Sequence, residues 1–476
     1  MHKGIRMILK ALPIFCLVGA FDADAATINA TSCSKAGVTM AYNAASNGDT
    51  IVVPAGNCSS SNVWTSALTI SKQVTIQGAG IDTTIIGLSG NGPVFRIYAN
   101  NVRLTGFTFD CKNQDTTDQG FVQIGTTSST TACDNVYTIV DFRVDHNRFI
   151  NCAPSPLPSD GVTGWSAISA SGYVYGVIDN NTFDNCNGEC LDIGADGTGN
   201  KPSSPLSLAR SLEYGGYANG TIYIEDNTWN YNTAINPGDY GAENAIDGNS
   251  GSRWVMRYNT FNIASNSRVQ AIISNHETCA TRSCDGATQG DVGSLMMEIY
   301  GNKVYNSGGS GFGFGEFVTQ RGGRALVYSN TIYTKDSDDS NIVRLSNLRS
   351  YHRPGCNAQT ARGYSQYCHE SDGSGLITEG LQGGNLVFGS CLEQINNSYV
   401  WGNKTVGGAD KNGVGILTGT APDYSLSDIQ SYAQRPQNWQ YRNDGTAYSY
   451  TPYPYPHPLR GESQTLLPPR NLRIVN

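Results

Sequence analysis

The sequence predicts an all-β chain wound as a parallel β-solenoid, and three observations predict it. Only 15% of the 476 residues are charged, while glycine numbers 55. Ordinary domains are about 25% charged, so the surface owes its polarity to Asn, Ser, Thr and Gly, which are weak helix formers. A short motif then recurs: alternating apolar residues, Asn, any residue, and an apolar or aromatic residue. Finally, the interval between copies is irregular while the motif is fixed, as expected of coils with a constant core and variable loops.

The copies are Val144-Asp-His-Asn147-Arg-Phe149, Val177-Ile-Asp-Asn-Asn181-Thr-Phe183, Ile222-Tyr-Ile-Glu-Asp-Asn227-Thr-Trp229 and Val255-Met-Arg-Tyr-Asn259-Thr-Phe261. They continue as Ile299-Tyr-Gly-Asn302-Lys-Val304, Val327-Tyr-Ser-Asn330-Thr-Ile332 and Val400-Trp-Gly-Asn403-Lys-Thr-Val406, and an earlier variant, Val102 to Phe109, carries Gly106. Period-two apolar residues make each copy a short strand with one buried face. Asn suits the bend that follows, because it tolerates the left-handed conformation and its amide can bond an identical Asn one layer away. A sandwich would need hairpin turns such as Asn-Gly between strands, and these are scarce.

Residues 1–25 read as a secretory signal peptide, with Lys3, Arg6 and Lys10 before the apolar run Ala11–Phe21 and the cleavage site Ala23-Asp24-Ala25. No later run approaches the ~20 apolar residues of a membrane span. Export to the extracellular space or periplasm is therefore expected. Removing Cys16 leaves twelve of the 13 cysteines, an even number that suggests disulfides in an oxidising compartment. Cys33/Cys58, Cys279/Cys284 and Cys356/Cys368 are close enough in sequence to pair, although connectivity stays open. A net charge of −8 without a long Lys/Arg run excludes nucleic acid as a partner.

Residues 26–56 are expected to form an N-terminal cap. Val38, Ala41, Tyr42 and Ala45 share one helical face that can cover the open end of the core. The segment from Cys33 to Gly56, with Gly48-Asp-Thr-Ile51 and Pro54-Ala-Gly56, resembles the opening of the pectate-lyase-like right-handed parallel β-helix superfamily, the pectin-lyase fold. Val74-Thr-Ile-Gln-Gly-Ala-Gly80 resembles its first coil. The resemblance spans roughly residues 27–420 and implies a right-handed parallel β-helix over 57–420. It implies no single activity, because lyases, hydrolases, esterases and non-enzymatic surface proteins share that fold. The pectate-lyase pair Trp-Ile-Asp-His and Arg-Xaa-Pro-Xaa-Xaa-Arg is absent, as is the polygalacturonase set. Asp145-His146-Asn147 resembles the first of these, but the recurring Asn motif explains it more simply.

A second strand follows each Asn motif: Cys190-Leu-Asp192, Ala245-Ile-Asp247, Ala271-Ile-Ile-Ser-Asn-His276-Glu277, Gly313-Phe-Gly-Glu316 and Ile342-Val-Arg344. Stacked in one sheet about 4.8 Å apart, they would align Asp192, Asp247, His276 or Glu277, Glu316 and Arg344 as an outward column. Close carboxylates raise one another's pKa or bind a cation. Hydrolysis of a glycosidic bond needs one protonated and one ionised carboxyl. Elimination on a uronate needs a cation or Arg to neutralise the sugar carboxylate, and a base. The candidate catalytic residues are therefore Asp192, Asp247, His276, Glu277, Glu316 and Arg321. Trp254, Tyr300, Arg324 and Arg344 are the candidate substrate contacts, with Tyr258 a further aromatic nearby. A non-functional wet sheet face is the alternative at every one of these positions.

No cofactor is assigned. Ca2+ is the candidate cation, and Asp336-Ser-Asp-Asp339 has the oxygen donors for it but lacks the spacing and closing Glu of an EF-hand. The tail, 421–476, is rich in Pro and Tyr; Tyr450 to Pro458 must be extended, either along the solenoid or as a linker. Leu467 to Val475 resembles the opening strand of a fibronectin-type module, with a simple tail as the alternative. The expected function is a secreted polysaccharide lyase or glycoside hydrolase, monomeric, acting on extracellular polysaccharide in a groove along the solenoid. The alternative is a non-catalytic glycan-binding or adhesion solenoid.

Overall fold

The computed structural model describes residues 25–113, 120–125, 138–152, 166–194, 214–217, 220–234, 241–249, 252–275, 294, 296–308, 313–320, 324–333, 341–345, 398–405, 407–416, 441–442 and 445–461. An α-helix, α1 (Lys35–Ala44), caps the first coil. It starts where the Ser34 hydroxyl accepts the Gly37 amide at 3.2 Å, an N-cap that satisfies one orphan donor. It ends where Lys72 Nζ donates to the carbonyls of Tyr42, Asn43 and Ala45 at 3.0, 3.0 and 2.7 Å, a cation against the negative helix terminus. Val38, Ala41 and Tyr42 are its buried face, and the Cys33–Cys58 disulfide ties its start to the second sheet.

Beyond the cap, successive coils contribute strands to three parallel sheets. Among the described residues sheet I holds 12 strands, and sheets II and III hold 10 each. One coil runs through Tyr173–Asp179 in sheet I, Thr182–Asp184 in sheet II and Glu189–Gly194 in sheet III. Inward residues repeat layer by layer. In sheet I the core row is Val144, Ile178, Ile224, Met256, Ile299, Val327 and Val400. In sheet II it is an aromatic stack: Phe149 over Phe183 at 5.1 Å, Phe183 over Trp229 at 4.7 Å and Trp229 over Phe261 at 5.0 Å. Because each layer buries its neighbour, the core lengthens without widening.

The recurring Asn lies at the corner between sheets I and II, where the turn is two residues long from Arg103–Thr105 onward. Asn147, Asn181, Asn227, Asn259, Asn302, Asn330 and Asn403 are buried and form one ladder. Each amide nitrogen donates to the Oδ1 of the next Asn, from 3.1 Å between Asn147 and Asn181 to 2.8 Å between Asn330 and Asn403. The expectation that Asn itself bends the chain is corrected. The residue before it takes positive φ: His146 51°, Asn180 52°, Asp226 56°, Tyr258 59°, Gly301 68°, Ser329 54° and Gly402 62°. That bend turns the next side chain inward, where only a group that both donates and accepts can satisfy the layers above and below.

The long connections all enter or leave sheet III. Residues 126–137, 195–220, 276–295 and 346–397 follow its strands, while 151–167 and 232–243 precede them. The C-terminal segment 445–461 lies along sheet I, so the extended Pro/Tyr run is not a free linker. A second disulfide joins Cys111 to Cys152, while Cys279, Cys284, Cys356, Cys368 and residues 1–24 fall outside the described residues. No helix among the described residues is long and apolar enough to cross a membrane.

Candidate functional site

The outer side of sheet III carries one polar row across eight successive strands: Arg96, Gln123, Ser169, Asp192, Asp247, Ser274, Thr319 and Arg344. Their inward neighbours, Leu191, Ile246, Ile273 and Val343, are core residues, and alternation turns the row outward. Asp192 and Asp247 face each other directly. Arg96 Nε donates to Gln123 Oε1 at 3.1 Å, and Ser169 Oγ to Asp192 Oδ2 at 3.3 Å. Although the row faces outward, it is shielded: Asp192 is 9% exposed and Asp247 1%.

Two positions of the expected column move. The row passes through Ser274, with Thr319 in the place expected of Glu316. Glu316 pairs with Ala271 instead, three residues before the row. The row residue is the one that follows a pair of core residues in each strand: Asp192 follows Cys190-Leu191, Ser274 follows Ile272-Ile273 and Thr319 follows Phe317-Val318, whereas Glu316 precedes its pair. Glu316 nonetheless reaches the row through an ion pair with Arg344. His276, Glu277, Arg321 and the Asp336–Asp339 run lie outside the described residues. Trp254 is corrected as a sugar contact: it is a core residue of sheet I with 0% exposure, its Nε1 donating to Ser294 Oγ at 2.9 Å. Tyr300 and Arg324 also belong to sheet I, and so do not join Asp192, Asp247, Glu316 and Arg344.

Sheet I has a polar face of its own that the sequence reading did not single out. Two residues before each ladder Asn stand Asp145, Asp179, Glu225, Arg257, Tyr300, Tyr328 and Trp401, in register. Arg103 grips Asp145 at 2.8 and 2.6 Å, and Arg143 grips Asp179 at 2.8 and 2.9 Å. Burial alone would raise the Asp145 carboxyl, but Arg103, His146 and Arg143 outweigh it and hold it at about 2. Asp145, His146 and Asp179 bring three ligand-type atoms within 4.8 Å of one another. Their carboxylates already satisfy Arg103, Arg143 and Arg460, which is a donor set for guanidinium rather than for a metal ion.

The C-terminal segment docks onto this face. Fully buried Arg257 donates to Glu225 Oε2 at 3.1 Å, the Tyr300 hydroxyl at 2.9 Å and the carbonyls of Tyr453 and Pro454 at 2.7 and 2.8 Å. Glu225 Oε1 accepts the His457 amide at 3.1 Å, and Glu298 Oε2 accepts the Tyr450 hydroxyl at 2.8 Å. Burial raises the Glu298 carboxyl above its ordinary value despite the Gly215 amide and Tyr450 hydroxyl bonded to it. Burial, then Arg257, Arg143 and Arg460, push His457 down to about 3. Beside the segment, Tyr258, Tyr300, Gly301, Tyr328, Ser329 and Pro452–Tyr455 line a pocket of about 400 Å3. The signal for this face was in the recurring motif itself: a charged or aromatic residue at a fixed place before each Asn.

No protein-family model matches the chain, and no curated protein does. Among solved structures, the chain is similar to an alginate lyase from Paenibacillus sp. str. FPU-7, with 14% identity and a TM-score of 0.32 over 65% of this chain and 95% of that one. It is also similar to the PL6 family alginate lyase AlyGC, with 13% identity and a TM-score of 0.29 over 90% of this chain and 59% of that one. With three parallel sheets, a capping helix and a buried asparagine ladder, the described residues form a parallel β-helix.

Proposed function

We propose that this protein is a secreted enzyme that cleaves an extracellular polysaccharide laid along the outer side of sheet III. One observation carries the reading: Asp192 and Asp247 stand opposite each other on adjacent strands, within a polar row that crosses eight strands of sheet III. Carboxylates one strand apart, about 4.8 Å between backbones, suit an acid and nucleophile pair for hydrolysis, for which retention needs about 5–5.5 Å between carboxyls. The same pair can hold a cation against a uronate carboxylate when the chemistry is elimination. Arg344, held by Glu316 at 39% side-chain exposure, offers an anion contact further along the row.

The test is incubation of the mature protein with a panel of acidic and neutral polysaccharides, read at ~235 nm for unsaturated ends and by reducing ends for total cleavage. Asp192→Asn and Asp247→Asn keep side-chain volume, and each should lower the rate at least about a hundredfold with unchanged circular dichroism. Full activity in both variants, or no cleavage anywhere in the panel, would overturn the proposal.

A further inference from the structure

The tyrosine-lined pocket on sheet I is built in a way that the corner and the docked segment do not require. The Tyr300 hydroxyl is taken by Arg257 at 2.9 Å, that of Tyr328 by Tyr450 at 2.7 Å and that of Tyr455 by Asp226 at 2.8 Å. Three of the five lining tyrosine rings are thereby fixed before any ligand arrives, with their hydroxyls spent on internal partners. Tyr300 lies beneath at 4% exposure, so the ordered aromatic surface open to a ligand is chiefly that of Tyr455, 45% exposed, and Tyr258, 39% exposed.

Tyr258 holds a φ of 59°. Its counterparts at the other corners are His146, Asn180, Asp226, Gly301, Ser329 and Gly402, all residues that suit this backbone better or leave less bulk there. A bulky side chain in the left-handed region costs about 1–3 kcal/mol. At the next corner, a Cβ on Gly301 would lie 2.6 Å from the Tyr258 ring. The ring therefore rests over a glycine, and Ser329 keeps the following layer small.

We propose that this pocket is a second glycan-binding site, separate from sheet III, that takes one pyranose ring by stacking it on tyrosine. At about 400 Å3 it lies within the ~300–1,000 Å3 range of small-molecule pockets. Tyrosine cages also bind quaternary ammonium ions, but here the Arg257 guanidinium already lies 5.2 Å from the Tyr455 ring. That positive charge disfavours a cation and tolerates a neutral or acidic sugar. The inference shares with the preceding reading only the expectation of a polysaccharide partner.

Affinity electrophoresis of the mature protein in gels cast with polygalacturonate, xylan or glucomannan tests it. Wild type should be retarded in at least one gel, and Tyr258→Ala and Tyr455→Ala should each weaken the retardation about tenfold. Tyr455→Phe, which keeps the ring and drops the bond to Asp226, should bind as wild type. The Asp192→Asn/Asp247→Asn double variant should lose cleavage and keep the tyrosine-dependent retardation, so the two proposals fail separately. No retardation in any gel, or retardation unchanged by Tyr258→Ala, would overturn this one.

Discussion

Arg257 donates a 2.8 Å hydrogen bond to the carbonyl of Pro454, joining residues 197 positions apart. The same guanidinium neutralises buried Glu225, so one side chain supports a strand of sheet I and holds the C-terminal segment. Arg257→Ala would leave Glu225 without its strand partner and release two carbonyls. We expect a loss of about 3–5 kcal/mol, the usual cost of breaking a buried pair from one side. Urea denaturation measures it, and limited proteolysis should then cut within 445–461. Arg257→Lys should not restore protection, because an ammonium cannot reproduce the planar fork.

Glu298 makes the docking of that segment weaken as pH rises. Its folded pKa lies above the unfolded value because burial disfavours the charge. Its contribution is therefore full below the unfolded carboxylate range and is lost as pH climbs through the folded value. Melting temperature followed from pH 4 upward should fall less in Glu298→Gln than in wild type. Equal pH slopes would contradict this.

His457 acts in the opposite sense. Its folded pKa of about 3 lies below the ordinary 6.5, and the neutral ring accepts the Leu459 amide on Nδ1 at 3.1 Å. Its contribution is present above the unfolded value and declines as pH falls from 6.5 towards 3. In an NMR titration its ring resonances should stay fixed down to pH 4, and His457→Asn should be less acid-sensitive than wild type.

The asparagine ladder predicts a steep, side-chain-specific cost. Asn227 Nδ2 donates to Ile178 O at 2.8 Å and Asn259 Oδ1 at 3.1 Å, while its Oδ1 accepts from the Asn181 backbone and amide at 2.9 and 3.1 Å. Asn227→Ala orphans buried partners on both adjacent coils, each worth about 1–3 kcal/mol. Asn227→Asp should be no better, since a carboxylate cannot donate to Asn259. Half-buried Asn262, on the outer side of sheet II with its amide donating to Asn230 Oδ1 at 2.8 Å, serves as the control, and its Ala variant should melt within a few degrees of wild type.

Much of this molecule was legible in the order of its residues. A β-helix builds each layer from local sequence, so apolar alternation and the Asn positions mark strands and corners directly. Asp192 and Asp247 could be aligned because each directly follows a pair of core residues, Cys190-Leu191 and Ala245-Ile246. Glu316 instead precedes the corresponding pair, Phe317-Val318, and it is Thr319 that follows it onto the row. Trp254 read as a surface aromatic, yet the register of its strand turns it inward toward Ser294.

The sequence by itself determined the repeating layer: strand, corner, ladder and the cap that closes one end. Those features depend on contacts between neighbouring coils, whose pattern recurs in the chain. Only the tertiary structure decided which outer rows face which partners. Residues 445–461 fold back over strands 122 to 316 positions away, and nothing local specifies such a contact. Shape and charge along sheet I select it: the carboxylates of Asp179, Glu225 and Glu298 and the guanidinium of Arg257 each gain further partners when that segment covers them.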